Sequence, residues 1–189
     1  MISDRSAKDP LLASLGENSW MVGVRAVLAI VFGFLLLLRP AAPLDRVVAL
    51  FIAYVVLDGV WTIASALWVT GRSFAGWPVV LEGLVSLLIG LLALLWPLVP
   101  HRLVVAIVVW GLLTGVLELV AALRLPRTGA GYWLYATGGA CSLFLAVLIL
   151  MLIHADQAYV VSVLGIYALA FGVLLAAAAT AFRKAVRSR

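Results

Sequence analysis

Charged side chains are what this chain has least of: they make up 11% of its 189 residues, where a soluble domain carries about a quarter. A soluble surface cannot be built from so few, and a soluble core is not needed. A single cysteine, Cys141, excludes an internal disulfide and a thiolate metal cluster. Within an apolar stretch it reads as a small buried packing residue. The two histidines, His101 and His154, have no clustered partner ligands, so no metal site and no cofactor are expected. Nothing pairs a nucleophile with its base, cradles a phosphate in glycines or offers a haem ligand pair, and no enzyme is expected. The first nineteen residues mix Asp4, Arg5, Lys8, Asp9 and Glu17 without an apolar run, and read as a polar tail rather than a leader.

What is abundant is apolar mass. Some 66% of the residues are hydrophobic, and the mean hydropathy is +1.23. The apolar stretches run over residues 20–38, 47–68, 77–96, 102–122, 133–153 and 157–180, each near the twenty or so residues that cross a hydrocarbon layer as helix. Membrane β-strands are about half that length and alternate in polarity, whereas Leu91 to Leu95 and Ala176 to Ala179 are unbroken. The expected fold is an all-α integral membrane protein of six transmembrane helices.

The six stretches are three copies of one hairpin. Placing Trp20, Trp77 and Trp133 in register aligns Gly33, Gly90 and Ala146, then Pro40, Pro97 and Ile153. With one residue removed from the middle loop, Tyr54, Trp110 and Tyr167 coincide, as do Gly59, Gly115 and Gly172. The period is about 56 residues, and such a period governs how every segment is read. It predicts a polar tail over 1–19, repeats over 20–72, 77–127 and 133–183, and a basic tail over 184–189. Each repeat holds an even number of spans and so enters the membrane in the same direction, giving parallel hairpins about a pseudo-threefold axis rather than an inverted pair. Small residues recur four apart in register: Ala29 and Gly33, Ser86 and Gly90, Ser142 and Ala146, then Gly111 and Gly115, Ala168 and Gly172, Val55 and Gly59. Because lipid gives helices no hydrophobic reason to associate, such stripes mark close packing. Gly33, Gly59, Gly90, Gly111, Gly115 and Gly172 are the expected contact points.

Lysine and arginine set the orientation. Arg5, Lys8, Arg72, Arg124, Arg127, Arg183, Lys184, Arg187 and Arg189 fall on one side, against Arg39, Arg46 and Arg102 on the other. Both termini are therefore expected on the cytoplasmic side. Trp20, Trp68, Trp77, Tyr132 and Trp133 should ring that interface, with Trp96 on the far side. The basic carboxy terminus suits anionic lipid and not nucleic acid, and a second copy or another membrane protein remains an alternative partner.

Four charges lie inside the spans: Arg25, Asp58, Glu82 and Glu118. An intramembrane charge must face protein or water. Arg25 and Glu82 share a repeat position on the small-residue face, so they are expected to pair. Gly138 stands there in the third repeat. Asp58 and Thr62 align with Thr114 and Glu118, each pair four apart on one face, while the third repeat has Phe171 and Leu175. One cation for three acids leaves a surplus, for which Arg124 is a candidate partner at the membrane edge. Two readings stay open: ion pairs that fix helix register, with Arg25 alternatively reaching back to the interface, or a proton-responsive site centred on Asp58. On the far side, Pro40, Pro43, Pro97 and Pro100 mark tight turns, and His101 and His154 with Asp45 and Asp156 could make that face respond to acid.

The run of Arg25, Gly33, Arg39 and Pro40, then Tyr54, Asp58 and Gly59, then Trp77, Glu82 and Gly83, then Trp96 and Pro97, resembles the HdeD-like acid-resistance membrane proteins over residues 19 to 183. That resemblance implies a six-span bacterial inner-membrane protein of acid or general stress tolerance, with no catalytic residues to carry over. The expected function is stabilisation of the membrane or binding of a partner there, without catalysis. The alternative is a proton or small-solute channel or carrier that uses the charged cluster.

Overall fold

A computed structural model of the chain describes residues 19–70, 77–96, 100–125, 127 and 130–187. They form six helices: α1 (Ser19–Leu38), α2 (Leu44–Thr70), α3 (Trp77–Leu95), α4 (Pro100–Leu123), α5 (Ala130–Met151) and α6 (Gln157–Arg187). All six are long and apolar enough to cross a membrane, and no strand occurs among the described residues. The boundaries follow the apolar stretches closely except at the end. There α6 runs through Arg187 rather than stopping with the apolar stretch, because alanine, lysine and arginine are strong helix formers and cations suit a helix carboxy terminus. Arg5, Lys8, Arg72, Pro97 and Arg189 lie outside the described residues, as do the side chains of Pro100, His101, Lys184 and Arg187.

The helices close into a ring in which each neighbours the next and α6 returns to α1. The most extensive seams do not lie within the hairpins that the repeat defines. They join successive repeats: α2 to α3, α4 to α5, and α6 to α1. Glycine explains this. A methyl group at Gly59 would lie 2.8 Å from the Gly83 carbonyl oxygen, and one at Gly83 would lie 2.7 Å from that of Gly59. Gly115 and Gly139 repeat the arrangement at 3.0 and 2.7 Å, and Gly172 meets the Ala26 carbonyl at 2.9 Å. Each seam has a second approach one or two turns on: Gly90 against Val55 and Val56, Gly111 against Ser142 and Ala146, Gly33 against Gly165 and Leu169. Backbones this close exclude any Cβ, and where lipid replaces water that packing is a principal force holding helices together.

All six glycines expected to pack therefore do so, but on α1, α3 and α5 the small residue that shares their seam lies seven residues before, not the expected four. Ala26, Gly83 and Gly139 precede Gly33, Gly90 and Ala146 by seven, and it is this spacing that faces the seam. Ala29, Ser86 and Ser142 turn instead into the interior, where they are 0–5% exposed. The exterior is apolar, with Phe144, Leu123, Leu95, Val173 and Ile166 among its most exposed side chains, as contact with lipid requires. Cys141 is exposed on that exterior, contrary to its expected burial. It neighbours the inward-facing Ser142, and one residue along a helix is a rotation of about 100°.

Inside, the two ends of the ring differ. The end bearing the interhelical turns is filled by Leu36, Val47, Phe51, Leu103, Ile107, Ile149 and Val160, all 4% exposed or less. Next come the equivalent aromatics of the three repeats. Tyr54 stacks on Phe32 at 4.2 Å between ring centroids and meets Trp110 edge-on at 5.9 Å, while Tyr167 stacks on Phe171 at 5.7 Å. Offset and edge-on pairs such as these pack densely and add about 0.5–1.5 kcal/mol each. At the end bearing the termini, Trp20 lies edge-on to Trp61 and Tyr132 to Trp133, and Trp20, Trp68 and Trp133 are exposed.

Candidate functional site

Beyond the aromatic layer, toward the termini, lies the charged cluster. Arg25 stands on α1 about 9 Å from its start at 1.5 Å per residue, and Asp58 lies one turn past Tyr54 on α2. Glu82 is in the second turn of α3 and Glu118 in the second-last turn of α4. Opposed helix directions bring all four to one depth. Arg25 Nε donates to Asp58 Oδ1 at 2.8 Å and Nη2 to Oδ2 at 3.3 Å, a two-pronged contact. Nη2 also donates to Glu82 Oε1, and Glu118 Oε1 lies 3.8 Å from it. One guanidinium thus holds three carboxylates on three helices. The expected Arg25–Glu82 pair forms, and Arg25 does not reach back to the interface.

The third repeat completes the site. Glu118 Oε2 accepts from Ser142 Oγ at 3.3 Å, and Ser142 Oγ lies 2.9 Å from the Tyr167 hydroxyl. Since Ser142 uses its proton on the carboxylate, Tyr167 donates to Ser142. The Arg25 guanidinium lies 6.0 Å from the centre of the Phe171 ring, within cation–π range. Gly138 makes room: a methyl there would lie 3.2 Å from Glu118 Oε2. Repeat three therefore supplies hydroxyls, a ring and a gap where the other repeats supply charge. Ser142 had been read only as a packing residue. Its alignment with Ser86, whose Oγ accepts from Trp110 Nε1 at 3.0 Å, was the signal that this position carries an inward hydroxyl.

The carboxylates are sealed, at 1% exposure for Asp58, 0% for Glu82 and 3% for Glu118. Of the threonines placed in the cluster, Thr114 is buried but donates to its own helix at the Trp110 carbonyl, 2.7 Å away. Thr62 is buried with no partner for its hydroxyl, and Glu82 Oε2 likewise has none. Arg124, expected to approach Glu118, lies instead beside the Trp77 ring at 4.9 Å. Six residues along a helix is a rotation of about 600°, so Arg124 leaves on a different face from Glu118, and Glu118 takes its donor from α5. His154 is exposed in the turn before α6, and His101 lies in the first turn of α4. Both positions lie at the turn-bearing end, opposite the cluster.

Buried charge needs compensation, and here one positive charge faces three ionisable acids. Chemically the arrangement can fix the mutual register of α1 to α4, and it can hold protons in place of the missing cations. It carries no nucleophile–base pair among the described residues.

A family model described as a short repeat of unknown function (DUF308) matches residues 24–95 and again 81–151. No curated protein matches the chain, and no solved structure does.

Proposed function

The chain belongs to the DUF308 short-repeat family, and from that premise we propose that it is a multi-pass protein of the bacterial inner membrane that serves acid or general stress tolerance without catalysis. It acts as a sealed bundle that stabilises the membrane or presents a surface to a partner there. The observation that carries this reading is the interior between the charged cluster and the turn-bearing end. It is filled by aromatic rings and then by Leu36, Phe51, Ile107, Ile149 and their neighbours. A conducting path needs water or exchangeable groups along its length, and among the described residues the layer beyond the aromatics, toward the turns, offers only carbon. The acid-resistance link rests on the resemblance to HdeD-like proteins carried by Arg25, Asp58, Glu82 and their surroundings. With the positive-inside bias, both termini face the cytoplasm.

The cluster suits that role. Its carboxyl groups are sealed from both faces of the membrane, so an acid exterior finds nothing exposed there to discharge. The second reading, a proton path through Asp58, is favoured by the unpartnered Glu82 Oε2. One experiment separates the two. A deletion strain is complemented with wild type or Asp58→Asn and scored for acid survival, beside proton flux into proteoliposomes. The sealed-bundle reading expects no flux above that of empty vesicles for either protein, and acid survival restored by wild type. Flux abolished by Asp58→Asn establishes the path instead.

A further inference from the structure

The turn between α1 and α2 is held from two sides. Residues 39–43 are drawn tight by the Ala42 amide, which donates to the Arg39 carbonyl at 3.0 Å, and are tied to α6 by Gln157 Nε2, which donates to the Ala42 carbonyl at 3.0 Å. Beside this turn opens a cavity of about 530 Å³. Buried Leu36 and Val47, half-buried Leu50 and exposed Leu38 give it apolar walls, and the exposed Arg39 and Arg46 supply its charge. Neither arginine is in an ion pair among the described residues, and Asp45, though adjacent, does not line the cavity.

The repeat makes this site stand out. The counterparts of Arg39 and Arg46 in the second repeat are Trp96 and Arg102, and there the guanidinium lies 5.8 Å from the indole centre, within cation–π range. In the third repeat they are Leu152 and Tyr159. Among the described residues, the first repeat sets two guanidiniums over an apolar groove at the boundary of the membrane span, where the equivalent positions of the second repeat hold one and those of the third none.

We propose that this groove binds an anionic phospholipid, its phosphate held by Arg39 and Arg46 and an acyl chain lying against Leu36, Val47 and Leu50. A planar guanidinium matches phosphate oxygens with paired hydrogen bonds, and an apolar hollow facing hydrocarbon is filled by chain because an empty one forfeits its dispersion contacts. Charge selects the headgroup and shape retains the tail. The turn is anchored before any ligand arrives, so little ordering opposes binding.

The test is native mass spectrometry of the full-length protein with phosphatidylglycerol or phosphatidylcholine of matched chains. Wild type retains phosphatidylglycerol preferentially. Arg39→Gln with Arg46→Gln lowers that retention by about tenfold or more, the loss expected for two charge-assisted contacts, and leaves phosphatidylcholine unchanged. Arg102→Gln keeps the preference. Leu38→Trp, at an exposed position, crowds the groove with both arginines intact and lowers retention too, which keeps the idea testable if the double variant folds poorly. Equal retention of the two lipids by wild type, or undiminished preference in both the double variant and Leu38→Trp, overturns the proposal. Full displacement of the lipid by inorganic phosphate also overturns it, because the site would then be one for a soluble anion.

Discussion

The two ends of this bundle's interior are built on opposite principles within one repeated frame. At the end bearing the termini, Arg25, Asp58, Glu82 and Glu118 meet across four helices and draw in Ser142 and Tyr167 from the third repeat. At the end bearing the turns, the interior is apolar and mostly aliphatic. The seams run through both ends with the same glycine geometry, so packing alone does not require the polar half. The difference teaches that the threefold repeat specifies where helices touch, while the residues it leaves free specify what the interior does. Polar groups in a low-dielectric interior bind strongly only to partners placed for them, which makes a unique register. Aliphatic groups fill space and resist water.

The largest effect should come from removing the one cation. Arg25→Leu leaves three buried acids without compensation, a loss of about 3–5 kcal/mol, read as earlier unfolding in a detergent titration followed by tryptophan fluorescence. Adding Asp58→Asn, Glu82→Gln and Glu118→Gln should recover most of that loss, because the defect is unpaired charge and not a lost contact. If the neutral quadruple variant is as unstable as Arg25→Leu, the polar half is held by the shape of the arginine and the contrast between the two ends weakens.

A smaller effect is expected at the aliphatic end. Ile107 is 1% exposed in the middle of that half, and Ile107→Ala opens a cavity costing about 2–3 kcal/mol. Because such a cavity is lined by carbon, it should stay dry, and proteoliposome proton leak should not rise. A leak that rises with Ile107→Ala would mean that water reaches the cluster once one side chain is trimmed, and that the aliphatic half acts as a gate.

Much of this was legible in the residues. Setting the repeats in register gave six spans, their common direction, the Arg25–Glu82 encounter and the glycines that pack, because each depends on spacing along one helix. What depends on the angle between helices was not legible. The stripe four apart and the stripe seven apart share a face of α1, α3 and α5 within a fraction of a turn. Only the neighbours decided that Gly83 and Gly139 face the seam and Ser86 and Ser142 the axis. Arg124 was assigned to Glu118 by nearness in sequence, yet a tryptophan from α3 lay closer. Cys141 was readable in principle, since Ser142 inward places its neighbour outward.

The third repeat offers the finest cut through the comparison. If it only closes the ring, its hydroxyls are incidental; if it belongs to the polar half, they should feel the charge on Glu118. Tyr167→Phe removes a hydroxyl that touches no charge itself but donates to Ser142, which donates to Glu118. Alone it should cost about 0.5–1.5 kcal/mol, the net value of one hydrogen bond. The sharper quantity is its coupling to Glu118→Gln. Groups that share no partner add within about 0.3–0.5 kcal/mol, while members of one hydrogen-bond network do not. A coupling above that margin, measured by unfolding the two single variants and the double, places repeat three inside the polar network. Strict additivity would return it to the role of packing, and the charged half would belong to the first two repeats alone.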